Sequence, residues 1–328
     1  MDWFTHILAA VGLGIALRAR RPVILAAAFG AMAPDLDALF APLTIWFPNL
    51  WFVDHRTFSH SLILGLPWAY AVTWVIQRPA VLAVWRRLFR VDIALPMGRA
   101  VLAPMFAGVV LHIAMDAMTL QGPALLSPLS AERLQLNWFY YIDLVPLAVS
   151  TPAIALALWR LGTPRQRRAI VAALVVAVLA TGAWRGVELA SVRAAAPGSE
   201  AVPTWNPRDW WTWRIVGNGT VEVSFEVAGR GAVFRSYIPL LSVHGAGSPD
   251  PAAARARAEG TMDYTAFAMN AYAIALNATL EPSGAWQLGY FDPVRRAQAM
   301  YTGSENVFSP EDVVLTVAPD GSVTAAWP

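Results

Sequence analysis

The 328-residue chain contains no cysteine. Thiolate catalysis, cysteine zinc sites and disulfide staples are therefore excluded, and any metal ion must be held by histidine, carboxylate or neutral oxygen donors. Lysine is absent too. All 24 basic residues are arginine, which reflects a GC-rich coding sequence more than a mechanism. Charge is scarce: 14% of residues are Asp, Glu, Lys or Arg and 57% are hydrophobic, where a soluble domain carries roughly 25% charged residues. That deficit excludes an ordinary soluble domain over the whole length and points to a membrane protein. A net charge of +2 and the lack of a basic stripe with interleaved aromatics give no case for nucleic-acid binding, and no nucleic-acid partner is expected. No HExxH occurs, which argues against a zinc-dependent intramembrane protease. Internal repeats and low-complexity tracts are also absent.

What is present is a series of apolar runs, at about 3–17, 23–40, 61–77, 99–120, 139–159 and 169–190. Each is of spanning or near-spanning length, the first the shortest. The first 33 residues lack the order of a signal peptide, since the basic cluster follows the apolar run, so the N-terminus is expected to be retained. Hydropathy drops near "AAAPGSEAVPTWNP". The expectation is an α-helical integral membrane bundle of about six helices over 1–192, a linker at 193–204, and a soluble, β-rich α+β domain over 205–328. Within the last, "WRIVGNGTVEVSFEVAG" predicts a hairpin across Gly-Asn-Gly, "AAARARAEGTMDYTAFAMNAY" helix, and "VVLTVAPDGSVTAAW" strands paired across Asp-Gly. The Trp-rich "WNPRDWWTW" is expected to anchor at the membrane interface, with partner binding as the alternative.

Arginines orient the bundle. Arg18, Arg20 and Arg21 follow run one; Arg78, Arg86, Arg87, Arg90 and Arg99 follow run three; Arg160, Arg165, Arg167 and Arg168 follow run five. These alternate loops fall on the cytoplasmic side, which leaves loops 41–60 and 121–138 and the C-terminal domain outside. The expected location is the cytoplasmic (inner) membrane, multi-pass.

Ionisable residues within spans are costly and are functional candidates by default. They are His6, Asp35, Asp37, His55, His60, His112, Asp116 and Asp143. His112 and Asp116 lie 13 and 17 residues beyond Arg99, roughly 20–25 Å from the inner face. All eight fall in the outer half of the bilayer, although the arginine count did not use them. "HIAMD" places His112 and Asp116 at i and i+4, on one helix face. "PDLD" puts two carboxylates at a helix end. In "HRTFSHS", His60 opens a helix for which Ser59 is the expected N-cap. Imidazoles mixed with carboxylates suit Zn²⁺, with Mn²⁺ or Fe²⁺ as alternatives, and eight donors suffice for one or two ions. Arg56 pairs with Asp54, anchors at headgroups, or clamps an anionic group. His244 is an ordinary surface residue.

The elements "THILAA", "APDLD", "DHRTFSHS", "HIAMDAMT" and "YIDLVPL", in this order over residues 1 to about 147, resemble the YdjM-type family of membrane-bound metal-dependent hydrolases. The resemblance implies an integral membrane protein whose metal set is His6, Asp35, His55, His60, His112 and Asp116. A fainter similarity in residue order runs to zinc-dependent phospholipases C, as an analogy only. The expectation is metal-assisted hydrolysis of an ester or phosphoester in an amphiphilic, lipid-like substrate at the outer face. Asp37 or Asp143 would take the proton and Arg56 would hold an anion. A metal-handling or ion transporter, and a scaffold with a structural metal, are the alternatives. Membrane lipids are the expected surroundings.

Overall fold

The computed structural model describes residues 3–140, 164–204, 206, 208–217, 219–244, 250–302 and 312–327. It divides into two compact units. The first holds residues 1–41, 52–188 and 205–207; the second holds 42–51, 189–204 and 208–328.

In the first unit, runs one to three give helices α1 (Trp3–Ala16), α2 (Arg21–Met32) and α3 (Gly65–Ile76). An unexpected helix, α4 (Pro79–Phe89), forms in the arginine-bearing loop between runs three and four. Runs four and six give α5 (Arg99–Ala117) and α6 (Pro164–Ala195), the last continuing into the second unit. Proline stands at the first turn of α2 and of α4, where its missing N–H is not needed. Two segments are long and apolar enough to cross a membrane, Arg21–Phe40 and Arg99–Ala117. α1 and α3 are apolar but shorter, with 14 and 12 residues. Run five, and with it Asp143, lies outside the described residues apart from its first two positions. The six expected spans thus reduce to these two candidates among the described residues.

The core of this unit is the crossing of α2 and α5, where Ala26, Phe29, Ala33, Val101, Met105, Val109 and Ile113 pack with Ala69 of α3. Two glycines set its closeness. A Cβ on Gly30 would strike the Met105 carbonyl, and one on Gly108 would strike the Ala27 carbonyl. Such small-residue contacts let two backbones approach where lipid offers no hydrophobic drive. After Ala33, Pro34 ends regular α2 and the chain winds into a 3₁₀ segment, Pro34–Phe40. The expected helix start at His60 is displaced. Phe58–His60 is a single 3₁₀ turn, and α3 begins only at Gly65. The reason is local: Ser61 Oγ donates to Phe58 O and accepts from Leu64 N, and Leu62 N pairs with Leu125 O.

The second unit carries two sheets. β1 (Glu200–Pro203), β2 (Asp209–Val216), β3 (Thr220–Val227) and β4 (Gly231–Pro239) form an antiparallel sheet in that order. The segment read as a linker thus holds the end of α6 and β1. The Gly-Asn-Gly hairpin forms as expected, with Gly217 and Gly219 at positive φ. β5 (Leu241–His244), β6 (Ala275–Leu280), β7 (Trp286–Phe291), β8 (Val313–Val317) and β9 (Val323–Ala326) form the other sheet, with only β5–β6 parallel. Helices α7 (Ala252–Glu259) and α8 (Met262–Ala268) pack on this sheet through Ala254, Ala258 and Phe267, against Leu276, Leu288, Tyr290 and Leu315. α9 (Pro293–Thr302) follows β7. His244 is exposed. The tryptophan motif corrects an expectation. Trp210 clusters with Leu189, Val192 and Ala201, while Trp211 packs among Phe225, Phe234 and Tyr301. Successive strand residues point to opposite faces and both faces of β2 are covered here, so these rings are core rather than membrane anchors.

Candidate metal centre

Four atoms converge at the C-terminal ends of α2 and α5: His60 Nε2, His112 Nε2, Asp35 Oδ1 and Asp116 Oδ2. His60 Nε2 lies 3.0 Å from His112 Nε2, 3.4 Å from Asp35 and 3.4 Å from Asp116; His112 Nε2 lies 3.5 Å from Asp35 and 3.4 Å from Asp116. Donors about 2.0–2.2 Å from one tetrahedral centre stand about 3.3–3.6 Å apart. The spacing therefore fits a four-coordinate ion of the zinc class. All four side chains are buried.

The histidines are oriented for ligation. His112 Nδ1 donates to the Ala31 carbonyl of α2 at 2.7 Å, which turns the Nε2 lone pair into the cluster. His60 Nδ1 meets Ser59 Oγ at 2.9 Å and Asp37 Oδ2 at 3.2 Å, an outer carboxylate behind a ligating imidazole. Asp37 is a junction of donors. Its carboxylate also takes the Ser59 hydroxyl, the Arg56 backbone N–H at 3.3 Å and His55 Nδ1 at 2.7 Å. Ser59, expected as a helix cap, instead ties Asp37 to His60.

His6 stacks on His112 with ring centroids 3.8 Å apart, and its Nε2 lies 3.2 Å from Asp116 Oδ1. The ring is fully buried, yet among the described residues Nδ1 has no hydrogen-bond partner and Nε2 has only the off-line approach to Asp116, while Asp35 Oδ2 is orphaned. Orphaned buried polar atoms are rare and call for a ligand. Charge agrees. Asp35, Asp37 and Asp116 against Arg56 leave two negative charges in excess if the imidazoles are neutral, the amount a divalent ion supplies.

Arg56 turns inward. Its Nη1 donates to Thr119 Oγ1 at 2.7 Å, Leu120 O at 2.8 Å and Gln121 O at 3.1 Å, while Nε and Nη2 approach Asp116 at 3.2 and 3.3 Å. Its side chain is 4% exposed and its φ is +66°. Backbone strain of this kind persists only when the surroundings fix it. Here the fixing comes from the loop after α5, where Gly122 passes too close to the Leu134 carbonyl for any Cβ, and Ala124 N pairs with Arg56 O. Asp54, the alternative partner, faces Arg133 at 3.7 Å instead.

The structure thus brings His6, Asp35, His60, His112 and Asp116 together, with Asp37 and Arg56 directly behind. His55 stands one step out, its side chain 40% exposed, edge-on to His60 with centroids 5.2 Å apart. Asp143 lies outside the described residues. Thr119 escaped the sequence reading, although its place three residues after Asp116 was the available signal.

These features define a helical, membrane-type unit built around a buried His/Asp centre with metal-ligand spacing. The family-level comparison agrees with that class: the model of the YdjM inner membrane protein matches residues 1–192, and the chain belongs to that family. No curated protein and no solved structure matches it.

Proposed function

We propose that the chain is a membrane-bound, metal-dependent hydrolase that works at the outer face of the cytoplasmic membrane, on an ester or phosphoester of a lipid-like substrate. The observation that carries this reading is a set of four donor atoms all within 4.8 Å of one another, with every separation from a histidine nitrogen 3.0–3.5 Å, buried beside orphaned polar atoms. Asp35, His60, His112 and Asp116 would hold the ion, with His6 and the second Asp116 oxygen at an adjacent position. A divalent ion there would acidify a bound water and polarise the scissile group. Arg56 fixes both oxygens of Asp116, so its role in this reading is to set that carboxylate rather than to clamp an anion. Asp37, engaged by its donors, orients His60 and His55. His55, half in solvent, marks the side from which substrate and protons arrive. The alternating arginine loops support a multi-pass bundle with the C-terminal domain outside.

The test is metal analysis of purified protein together with a panel of phosphoester and lipid substrates. Near-stoichiometric zinc, manganese or iron and a hydrolysed substrate, both lost in His112→Ala, are expected. A metal-free protein, or activity indifferent to His112→Ala and Asp116→Ala, overturns the reading. Metal uptake into sealed vesicles without hydrolysis would favour transport instead.

A further inference from the structure

The second unit holds a polar cavity of its own, independent of the metal centre. On one face of β3, Glu222, Ser224 and Glu226 follow one another at alternate positions. Across the sheet, Arg214 faces Glu222, Thr212 faces Ser224 on β2, and Arg235 faces Ser224 on β4. The end of α6 covers this face with small residues. The result is a cavity of about 160 Å³, bounded by Ala195, Ser199, Thr212, Ser224, Glu226 and Arg235 among others.

The two glutamates differ. Glu222 is saturated: Arg214 Nε and Nη2 both reach Oε2 at 2.7 Å, Tyr237 donates to Oε1 at 3.2 Å, and Arg235 stands 3.7 Å away. Glu226 is 8% exposed and has no hydrogen bond or ion pair among the described residues. The register shifts where Phe225 and Glu226 face Phe234 and Ala232, so Val233 of β4 is the extra residue and the bulge bends β4 beside Glu226. Burial pushes the Glu226 carboxyl above its ordinary range, against the pull of Arg235. A cationic partner would relieve that. Arg235, on β4 opposite Ser224 and so diagonal to Glu226, is half in solvent. Between them, the buried Thr212 and Ser224 hydroxyls offer donors and acceptors. Arg214 pairs closely with Glu222, and Arg235 only at 3.7 Å, so the outer guanidinium and the Glu226 carboxylate are what the cavity offers a ligand. A ligand with one charge of each sign fits that arrangement and adds no net charge.

We propose that this cavity binds a small zwitterion, its ammonium on Glu226, its ester or hydroxyl oxygens on Thr212 and Ser224, and its phosphate or carboxylate on Arg235. The volume admits a headgroup-sized molecule and no acyl chain. The test is calorimetric titration of the full chain in detergent with O-phosphoethanolamine, β-alanine, ethanolamine and inorganic phosphate. Saturable single-site binding of a zwitterionic probe, at least tenfold tighter than ethanolamine or phosphate alone, is expected. Glu226→Gln, nearly isosteric, should weaken it tenfold or more, and Ala232→Leu, which fills the cavity wall, should abolish it. Arg235→Gln lies at the surface and keeps the fold; it should weaken the zwitterion while leaving ethanolamine unchanged. Phosphatidylethanolamine vesicles binding more tightly than the free probe would assign the source to a lipid headgroup, and the reverse to a soluble ligand; both outcomes support the shared chemistry. No saturable binding of either zwitterion, or binding unchanged in Glu226→Gln and Ala232→Leu, overturns the proposal.

Discussion

Gly108→Ala tests whether helix spacing sets the metal centre. The added methyl would sit 2.9 Å from Ala31 N and collide with the Ala27 carbonyl. Ordinary van der Waals contact begins near 3.4 Å, so α2 and α5 must part by at least about half an ångström, more at Ala27, and overpacking of this kind costs about 1–3 kcal/mol. The Ala31 carbonyl that orients His112 belongs to the helix that moves, and its 2.7 Å bond would open to the edge of hydrogen-bonding range. Loss of an orienting partner of a ligating histidine lowers metal affinity about 10–100-fold. The assay is metal retention against a graded chelator series, read beside thermal unfolding in detergent. Val110→Ala, on an exposed face of the same helix, serves as the neutral control. If Gly108→Ala kept the wild-type chelator midpoint while the melting temperature fell, the helix crossing would be structural only, and its link to the centre would be refuted.

His6→Ala should remove an ion or weaken its retention while the His60–His112 pair still holds one; metal stoichiometry by mass spectrometry reads this, and an unchanged count would show that His6 is a packing residue. Asp292 is buried and accepts from Val294 N at 2.9 Å, Arg295 N at 3.4 Å and Tyr272 N at 2.8 Å. Asp292→Ala should therefore destabilise the second unit by about 2–4 kcal/mol in chemical denaturation, combining a lost helix cap with a stranded N–H. For Glu222, burial pushes the carboxyl up but the Arg214, Tyr237 and Arg235 partners outweigh it, so its folded value lies below the ordinary 4.5. Its stabilisation is then complete above about pH 4.5 and lost as pH falls through the depressed value. Glu222→Gln should flatten that acid limb of the melting profile, and an unaltered limb would exclude Glu222 as its source.

Much of the centre was legible because charge stands out in apolar sequence. His112 and Asp116 show their shared helix face by spacing alone, and Asp35 and His60 stand at the ends of apolar runs. What stayed hidden depends on loops. Arg56 looked like an anion clamp because nothing in "DHRTFSHS" announces that residues 119–121, some sixty positions away, present a hydroxyl and two carbonyls to it. Ser59 looked like a cap because serine before an apolar run usually is one; only the fold brings Asp37 within its reach. In the second unit, the hairpin turns were readable from Gly-Asn-Gly and Asp-Gly. Trp210 and Trp211 were misplaced, because a Trp-rich stretch near spans has the same composition whether it faces lipid or a sheet covered on both sides.

Arg56 also has a consequence for assembly. Its backbone N–H goes to Asp37, its carbonyl takes Ala124 N, and its guanidinium spans Thr119 to Asp116. A buried guanidinium stripped of any one partner is strongly penalised. The segment before α3, the loop after α5 and the Asp116 carboxylate are therefore joined through one side chain, and half-formed versions of the centre should be sparsely populated. An arriving ion would meet a cage that is either closed around the carboxylate or absent altogether.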